Sequence, residues 1–181
     1  MEDFNTYEYA ATQKSEGKWK TRRILLLLAY VLFTAVYFVV IFISKFIPLG
    51  ALIPVFLWIL VFLTWRYVKP DYKYVIEKGT LTFYVAYGNN KKKKTLKPQM
   101  KFKVSTAEAI APRAEIEAMA NALAGIKTYS AIPSVNAADQ YGALYKDETG
   151  SYCVFYFVAT SQGLKLLRFY NSKTVVTQTA I

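Results

Sequence analysis

Histidine is absent from all 181 residues, and cysteine occurs once, at Cys153. Without imidazole there is no histidine-based catalytic triad, no His-carboxylate metal site and no side chain that titrates unaided near neutral pH. A single thiol cannot close an internal disulfide or complete a multi-cysteine zinc site, so nothing marks an oxidising compartment. Acid is scarce as well. There are 12 Asp and Glu against 23 Lys and Arg, a net charge of +11, and charged residues make up 19% of the chain, below the roughly 25% of an average soluble domain. Apolar residues take their place, at 54% hydrophobic and 17% aromatic. A hydrophobic chain with a basic surplus fits a membrane protein facing an anionic leaflet.

The apolar excess is concentrated in two stretches. Ile24 to Ile43 is twenty residues without a charge, and after Ser44, Lys45 and Phe46 a further nineteen run uncharged from Ile47 to Trp65. Each is long enough to cross a hydrocarbon core of about 30 Å, and the first exceeds the apolar region of about 7 to 15 residues in a secretory signal. The alternative of a buried hairpin in a globular core requires two such stretches to arise without a membrane. The short connection near Ser44, Lys45 and Pro48 predicts an antiparallel transmembrane hairpin (23–68). Lys14, Lys18, Lys20, Arg22 and Arg23 precede the first span, Arg66, Lys69 and Lys73 follow the second, and the turn carries only Lys45. This bias places both termini in the cytoplasm, with Trp19, Arg22, Arg23, Trp65 and Arg66 at the membrane interface. Pro54 predicts a kink or a late helix start in the second span. Tyr30 and Tyr37, seven residues apart, read as helix packing. Neither span holds Asp, Glu, Lys or Arg, so the usual mark of an ion or proton path is missing. For residues 1–22 the expectation is a cytoplasmic segment whose start, Met1 to Gly17, reads equally as a short interfacial helix or a disordered tail.

From Pro70 the composition turns to Tyr, Lys and Thr, enough for one domain over residues 70–181. Tyr72, Tyr74 and Ile76 alternate with polar neighbours, Lys78-Gly79 supplies a turn, and Leu81, Phe83, Val85 and Tyr87 resume the alternation. Gly88-Asn89-Asn90 predicts a second turn, Lys91 to Leu96 a third strand, and Met100 to Val104 a fourth. Ile116, Met119, Leu123 and Ile126 at helical spacing behind Pro112 predict a helix over Arg113 to Ala124. Strands are expected near Thr128 to Ile132, Tyr141 to Tyr145, Tyr152 to Thr160 and, after a Ser161-Gln162-Gly163 turn, Leu164 to Tyr170. A terminal helix would start at Asn171 or Ser172. The expected fold is an α+β membrane protein: a two-helix hairpin, then a small antiparallel β-barrel or sandwich with a C-terminal helix.

This order, with Tyr-x-Tyr-x-Ile-x-x-Gly-x-Leu at Tyr72 to Leu81, a Lys-rich third strand and Ala111-Pro112, resembles the small two-span bacterial membrane proteins of uncharacterised function with a pleckstrin-homology-like (PH-like) cytoplasmic domain. The resemblance implies a seven-stranded, partly open barrel plugged by a C-terminal helix, and it brings no catalytic residues with it.

The sharpest charge feature is Lys91, Lys92, Lys93 and Lys94, backed by Lys97, Lys101 and Lys103. Near an anionic surface each lysine contributes about 1 kcal/mol, so Lys91 to Lys94 and Lys97 are candidate contacts for anionic lipid headgroups. The competing reading is a solvated hairpin whose lysines prevent edge pairing. Nucleic acid is not an expected partner: no helix-turn-helix, zinc-finger or RNP signature accompanies the tyrosines. Nor is an enzyme expected. Glu115 and Glu117 fall on different helix faces, Asp147-Glu148 sits in a turn, Cys153 lies mid-strand with no activating base, and no phosphate-binding Gly loop occurs. No metal and no cofactor are expected. The partners expected are the bilayer, anionic headgroups and another membrane protein. These readings converge on a non-catalytic adaptor or accessory protein at the inner leaflet, with a subunit of a transport or secretion complex as the alternative and a membrane-bound enzyme behind both.

Overall fold

In the computed structural model, which describes residues 6–45, 47–68, 70–87 and 97–176, the chain divides into two compact units. One joins the residues up to Gln13 with the chain from Asp71 onward, and the other is Lys14–Pro70.

The first unit is a sandwich of two four-stranded sheets. Sheet A has the order β1-β2-β3-β4, with β1 at Thr6–Thr12, β2 at Pro70–Glu77, β3 at Thr80–Tyr87 and β4 at Pro98–Lys103. Within the stretch expected to be an interfacial helix or a tail, Thr6–Thr12 is therefore a strand. Its alternation explains why: Tyr7, Tyr9 and Ala11 turn inward while Thr6, Glu8, Ala10 and Thr12 stay exposed. β1 pairs antiparallel with β2 from Thr6 opposite Glu77 to Thr12 opposite Asp71. The chain thus leaves the sheet at Thr12 and returns at its partner 59 positions later, with the whole second unit inserted between two adjacent strands.

The Lys78-Gly79 turn joins β2 to β3 with both residues at positive φ, 49° and 73°, the geometry of a tight two-residue hairpin. A side chain on Gly79 would meet the Tyr170 ring at 2.9 Å. The fourth strand lies where the pattern of Met100 and Phe102 places it, while the third strand expected over Lys91 to Leu96 lies outside the described residues.

Sheet B has the order β5-β7-β8-β6: β5 is Ala109–Pro112, β6 Lys127–Ser130, β7 Gln140–Lys146 and β8 Tyr152–Val158. The sheets are not wholly antiparallel, because β6 runs parallel to β8. The cause is the crossover helix α3 (Arg113–Asn121), which carries the chain from one edge strand to the other. β7 and β8 are covered on both faces, so their sequences are almost continuously apolar. Tyr141, Ala143, Tyr145, Cys153, Phe155 and Phe157 join the sandwich core. Leu144 and Val154 face the other way and pack with Ile116 of α3. Gly142 makes room for that helix, since a Cβ there would lie 2.8 Å from Ile116 Cγ2. Gly142→Ala is expected to cost about 1–3 kcal/mol by overpacking, read from urea unfolding.

One expected strand is a helix. Leu164 to Tyr170 belongs to α4 (Ser161–Tyr170), and Ser161-Gln162-Gly163 is its first turn. The Thr160 side chain caps it by accepting from Gly163 N at 3.2 Å, and Leu164, Leu167 and Tyr170 fall at helical spacing against the core. Asn171, expected to start a terminal helix, instead follows α4, and its side-chain amide donates to the Val104 and Ala107 carbonyls at 2.9 and 3.2 Å. Beyond it Val175 forms a bridge with Ile110. The closing helix of the fold is therefore α4, one element earlier than expected, and Ile181 lies outside the described residues.

Aromatic rings fill the space between the sheets. Tyr74 is fully buried: it stacks on Tyr9 at 5.2 Å, meets Phe157 edge-on at 5.5 Å, and donates its hydroxyl to the Val158 carbonyl at 2.8 Å. Burial, assisted by Tyr87, pushes the Tyr72 hydroxyl up to about 12, and burial raises Tyr74 and Tyr145 further. A folded value above the unfolded value of about 10 means that this stability is complete below pH 10 and is lost as pH rises toward 12. Alkaline circular dichroism and tyrosine absorbance should show the sandwich melting in that window, together with a late-titrating tyrosine class.

Candidate functional site

The inserted unit consists of α1 (Lys18–Ser44), a 3-10 segment (Ile47–Leu52), α2 (Ile53–Trp65) and a short 3-10 turn (Arg66–Val68). Pro54 is the second residue of α2, where its missing N–H costs nothing: of a kink and a late start, the late start is what forms. Inside this unit Tyr30 and Thr64 are hydrogen-bonded through their hydroxyls, and Tyr37 sits 6.2 Å from Phe56. The two tyrosines therefore pack α1 against α2.

Much of the described surface of α1 from Ile24 onward and of α2 is apolar and exposed. Phe42 is 87% exposed, Trp58 68% and Phe62 67%, alongside Leu25, Leu28, Val31 and Leu32. Continuous apolar exposure on this scale marks a surface that water does not normally contact. Among the described residues, Lys18–Ile43 is the one helix long and apolar enough to cross a membrane, and Gly50–Trp65 is a shorter apolar helix. Of the expected interface residues, Trp19, Arg22 and Arg23 occupy the first two turns of α1, Trp65 ends α2, and Arg66 opens the turn that follows. The Arg22 guanidinium lies over the Trp19 ring, 5.4 Å from its centre.

In the sandwich unit, Lys97 stands exposed just before β4, and Lys101 and Lys103 are exposed on the face opposite Met100 and Phe102. Lys91, Lys92, Lys93 and Lys94 lie outside the described residues. The antiparallel order brings Thr12, Asp71, Tyr87 and Pro98 to one end of sheet A, so the segment carrying the lysine run is joined to the sheet at the end where the inserted unit leaves and returns. Two shallow clefts lie on sheet A. One, of about 320 Å³, is bounded by Glu8, Ala10, Thr12, Asp71, Lys73 and Ala86. Its charges are engaged, since Lys73 pairs with Glu8 and Asp71 accepts from Thr12 at 2.6 Å. The other, of about 310 Å³, is bounded by residues that include Lys78, Thr82, Tyr84 and Lys101.

Asp147, Cys153 and Arg113 are tied into the sandwich unit. Asp147 accepts from Thr149 N at 2.9 Å, Ser151 N at 3.0 Å and Lys127 Nζ at 3.1 Å. The Thr149 hydroxyl and Lys127 hold its carboxyl well below the usual range. Cys153 is buried, and burial pushes its thiol up, away from the reactive thiolate. Arg113 bonds Glu117 and Gln140, each at 2.7 Å, and lies over Tyr156, fixing α3 to sheet B. Among the described residues no group of three Cys, Asp or Glu could hold a metal ion.

The model of the family described as "Bacterial PH-like domain (DUF6106)" matches residues 7–177. The chain belongs to that family. The match begins within β1 and runs through the inserted unit, so α1 and α2 fall inside the matched residues. No curated protein and no solved structure matches the chain. What sequence reasoning missed was β1, although Thr6-Tyr7-Glu8-Tyr9 carries a strand's period-two signal.

Proposed function

We propose that this protein is a two-pass membrane protein that presents a PH-like domain at the cytoplasmic face as a non-catalytic adaptor. The observation that carries the reading is the pairing of Thr12 with Asp71. A chain that leaves a sheet and returns to the neighbouring strand at the paired residue begins and ends its excursion on one side of a bilayer. It therefore crosses an even number of times, and α1 cannot be a single-pass anchor. If α1 crosses, Ile47–Trp65 must bring the chain back. Six 3-10 residues and 13 α-helical residues span about 31 Å at about 2.0 and 1.5 Å per residue, enough for a hydrocarbon core of about 30 Å.

Flanking charge supports the cytoplasmic side, with Lys14, Lys18, Lys20, Arg22 and Arg23 before the hairpin and Lys45 alone in its turn. The lysine run belongs to the same proposal: its covalent attachment at the hairpin end of sheet A favours contact with anionic headgroups over a purely solvated role. An adaptor also needs a protein partner. Cross-linking the full chain in its native membrane, followed by detergent purification and mass spectrometry, should yield one stoichiometric membrane-protein partner. Recovery of a solitary chain would contradict the adaptor reading.

A further inference from the structure

The first two turns of α1 carry Lys18, Lys20, Arg22 and Arg23 within six positions, with no acidic residue in the first turn. Among the described residues none of these four is ion-paired with a carboxylate. Lys18 and Arg22 are four apart and Lys20 and Arg23 three apart, spacings at which like charges repel along a helix. Arg23 Nε is shielded from solvent yet has no hydrogen-bond partner, which is costly for a cationic donor unless an acceptor outside the chain supplies the bond. Apolar surface begins without a break at Ile24 and Leu25, which are 49% and 63% exposed, and Trp19 is held beside the cations by the Arg22 stacking contact. A cationic collar with an aromatic ring, directly abutting exposed apolar helix, matches the order of a bilayer from headgroup to acyl chain.

We infer that Lys18, Lys20, Arg22 and Arg23 form a binding collar for the phosphodiester headgroups of anionic phospholipids, selecting them over zwitterionic ones. This rests on the membrane reading above and deepens it by naming the lipid class. Anionic headgroups supply the countercharge that the helix lacks, and they favour association by about fivefold for each cation near the surface. Zwitterionic headgroups bring a choline cation with every phosphate and leave the cluster's repulsion largely in place.

The test uses the full chain reconstituted in mixed phosphatidylglycerol and phosphatidylcholine bilayers, with one or the other lipid brominated on its acyl chains. Trp58→Phe with Trp65→Phe leaves Trp19 as the reporter, and Trp19→Phe with Trp65→Phe leaves Trp58 to read insertion. Quenching of Trp19 should give a relative association constant for phosphatidylglycerol about fivefold or more above that for phosphatidylcholine. The combined change Lys18→Gln, Lys20→Gln, Arg22→Gln and Arg23→Gln should bring the ratio to about one, while Lys101→Gln with Lys103→Gln leaves it unchanged. A parent ratio near one, or a ratio that survives the fourfold change while Trp58 is still quenched, overturns the collar. Failure of either lipid to quench Trp58 overturns the membrane reading, and the collar with it.

Discussion

A polypeptide beginning at Pro70 is expected not to fold, although it holds every element of the PH-like domain except one. Removing β1 strips a seven-residue ladder from β2. It also removes the Tyr7 and Tyr9 rings, which lie 6.1 and 5.2 Å from Tyr74, and the contact of Tyr7 with the α4 cap residue Thr160. Two partly buried aromatics and an unpaired strand edge amount to a loss on the order of 5 kcal/mol, against a total stability of about 5–15 kcal/mol for a domain. The same topology dictates a rescue. Because Thr12 faces Asp71 across the ladder, residues 13–70 can be replaced by a short Gly-containing turn, which converts the excursion into an ordinary β-hairpin. That shortened chain should unfold cooperatively with dispersed amide resonances. Cooperative folding of the fragment from Pro70 would show that β1 is dispensable.

The second large effect is expected at Tyr74. Its ring contacts Tyr7, Tyr9, Phe155 and Phe157 and so joins β1 and β2 to β8 across the sandwich. Tyr74→Ala in the shortened chain should cost about 3–5 kcal/mol, enough to leave much of it unfolded. Tyr74→Phe keeps the ring but leaves the Val158 carbonyl without its donor, and should cost about 1–3 kcal/mol. Equal losses in urea unfolding would mean that the hydroxyl, not the ring, carries the contribution.

Particular residues explain how far the fold could be read in advance. The two apolar stretches, the Lys78-Gly79 turn and the helix behind Pro112 were legible because each has a local cause: an uncharged run, a positive-φ glycine, a 3.6-residue period. α4 was misread because its Leu, Phe and Tyr content suits a strand, and the deciding feature is the Thr160 cap taken together with the Leu164, Leu167 and Tyr170 spacing. β1 has a clear alternation but needs a partner 59 positions away, and single-sequence periodicity holds no information about such pairing. The parallel placement of β6 has the same origin, since α3 must first fix which edge the chain reaches. In the candidate site, the basic and aromatic residues at the start of α1 were visible as a cluster beside an apolar run. The unpartnered Arg23 Nε and the strict return of the chain to Asp71 emerge only once the elements are assembled.

The central claim, an even number of crossings with both strands of the β1–β2 pair on one face, is tested most directly by sided labelling. In a Cys153→Ala background, Lys14→Cys, Lys45→Cys and Lys173→Cys would each be exposed to a membrane-impermeant maleimide in sealed right-side-out and inside-out vesicles. The account predicts that positions 14 and 173 label together from the cytoplasmic side and position 45 only from the opposite side. Labelling of 14 and 173 from opposite sides, or of all three from one side, would contradict it.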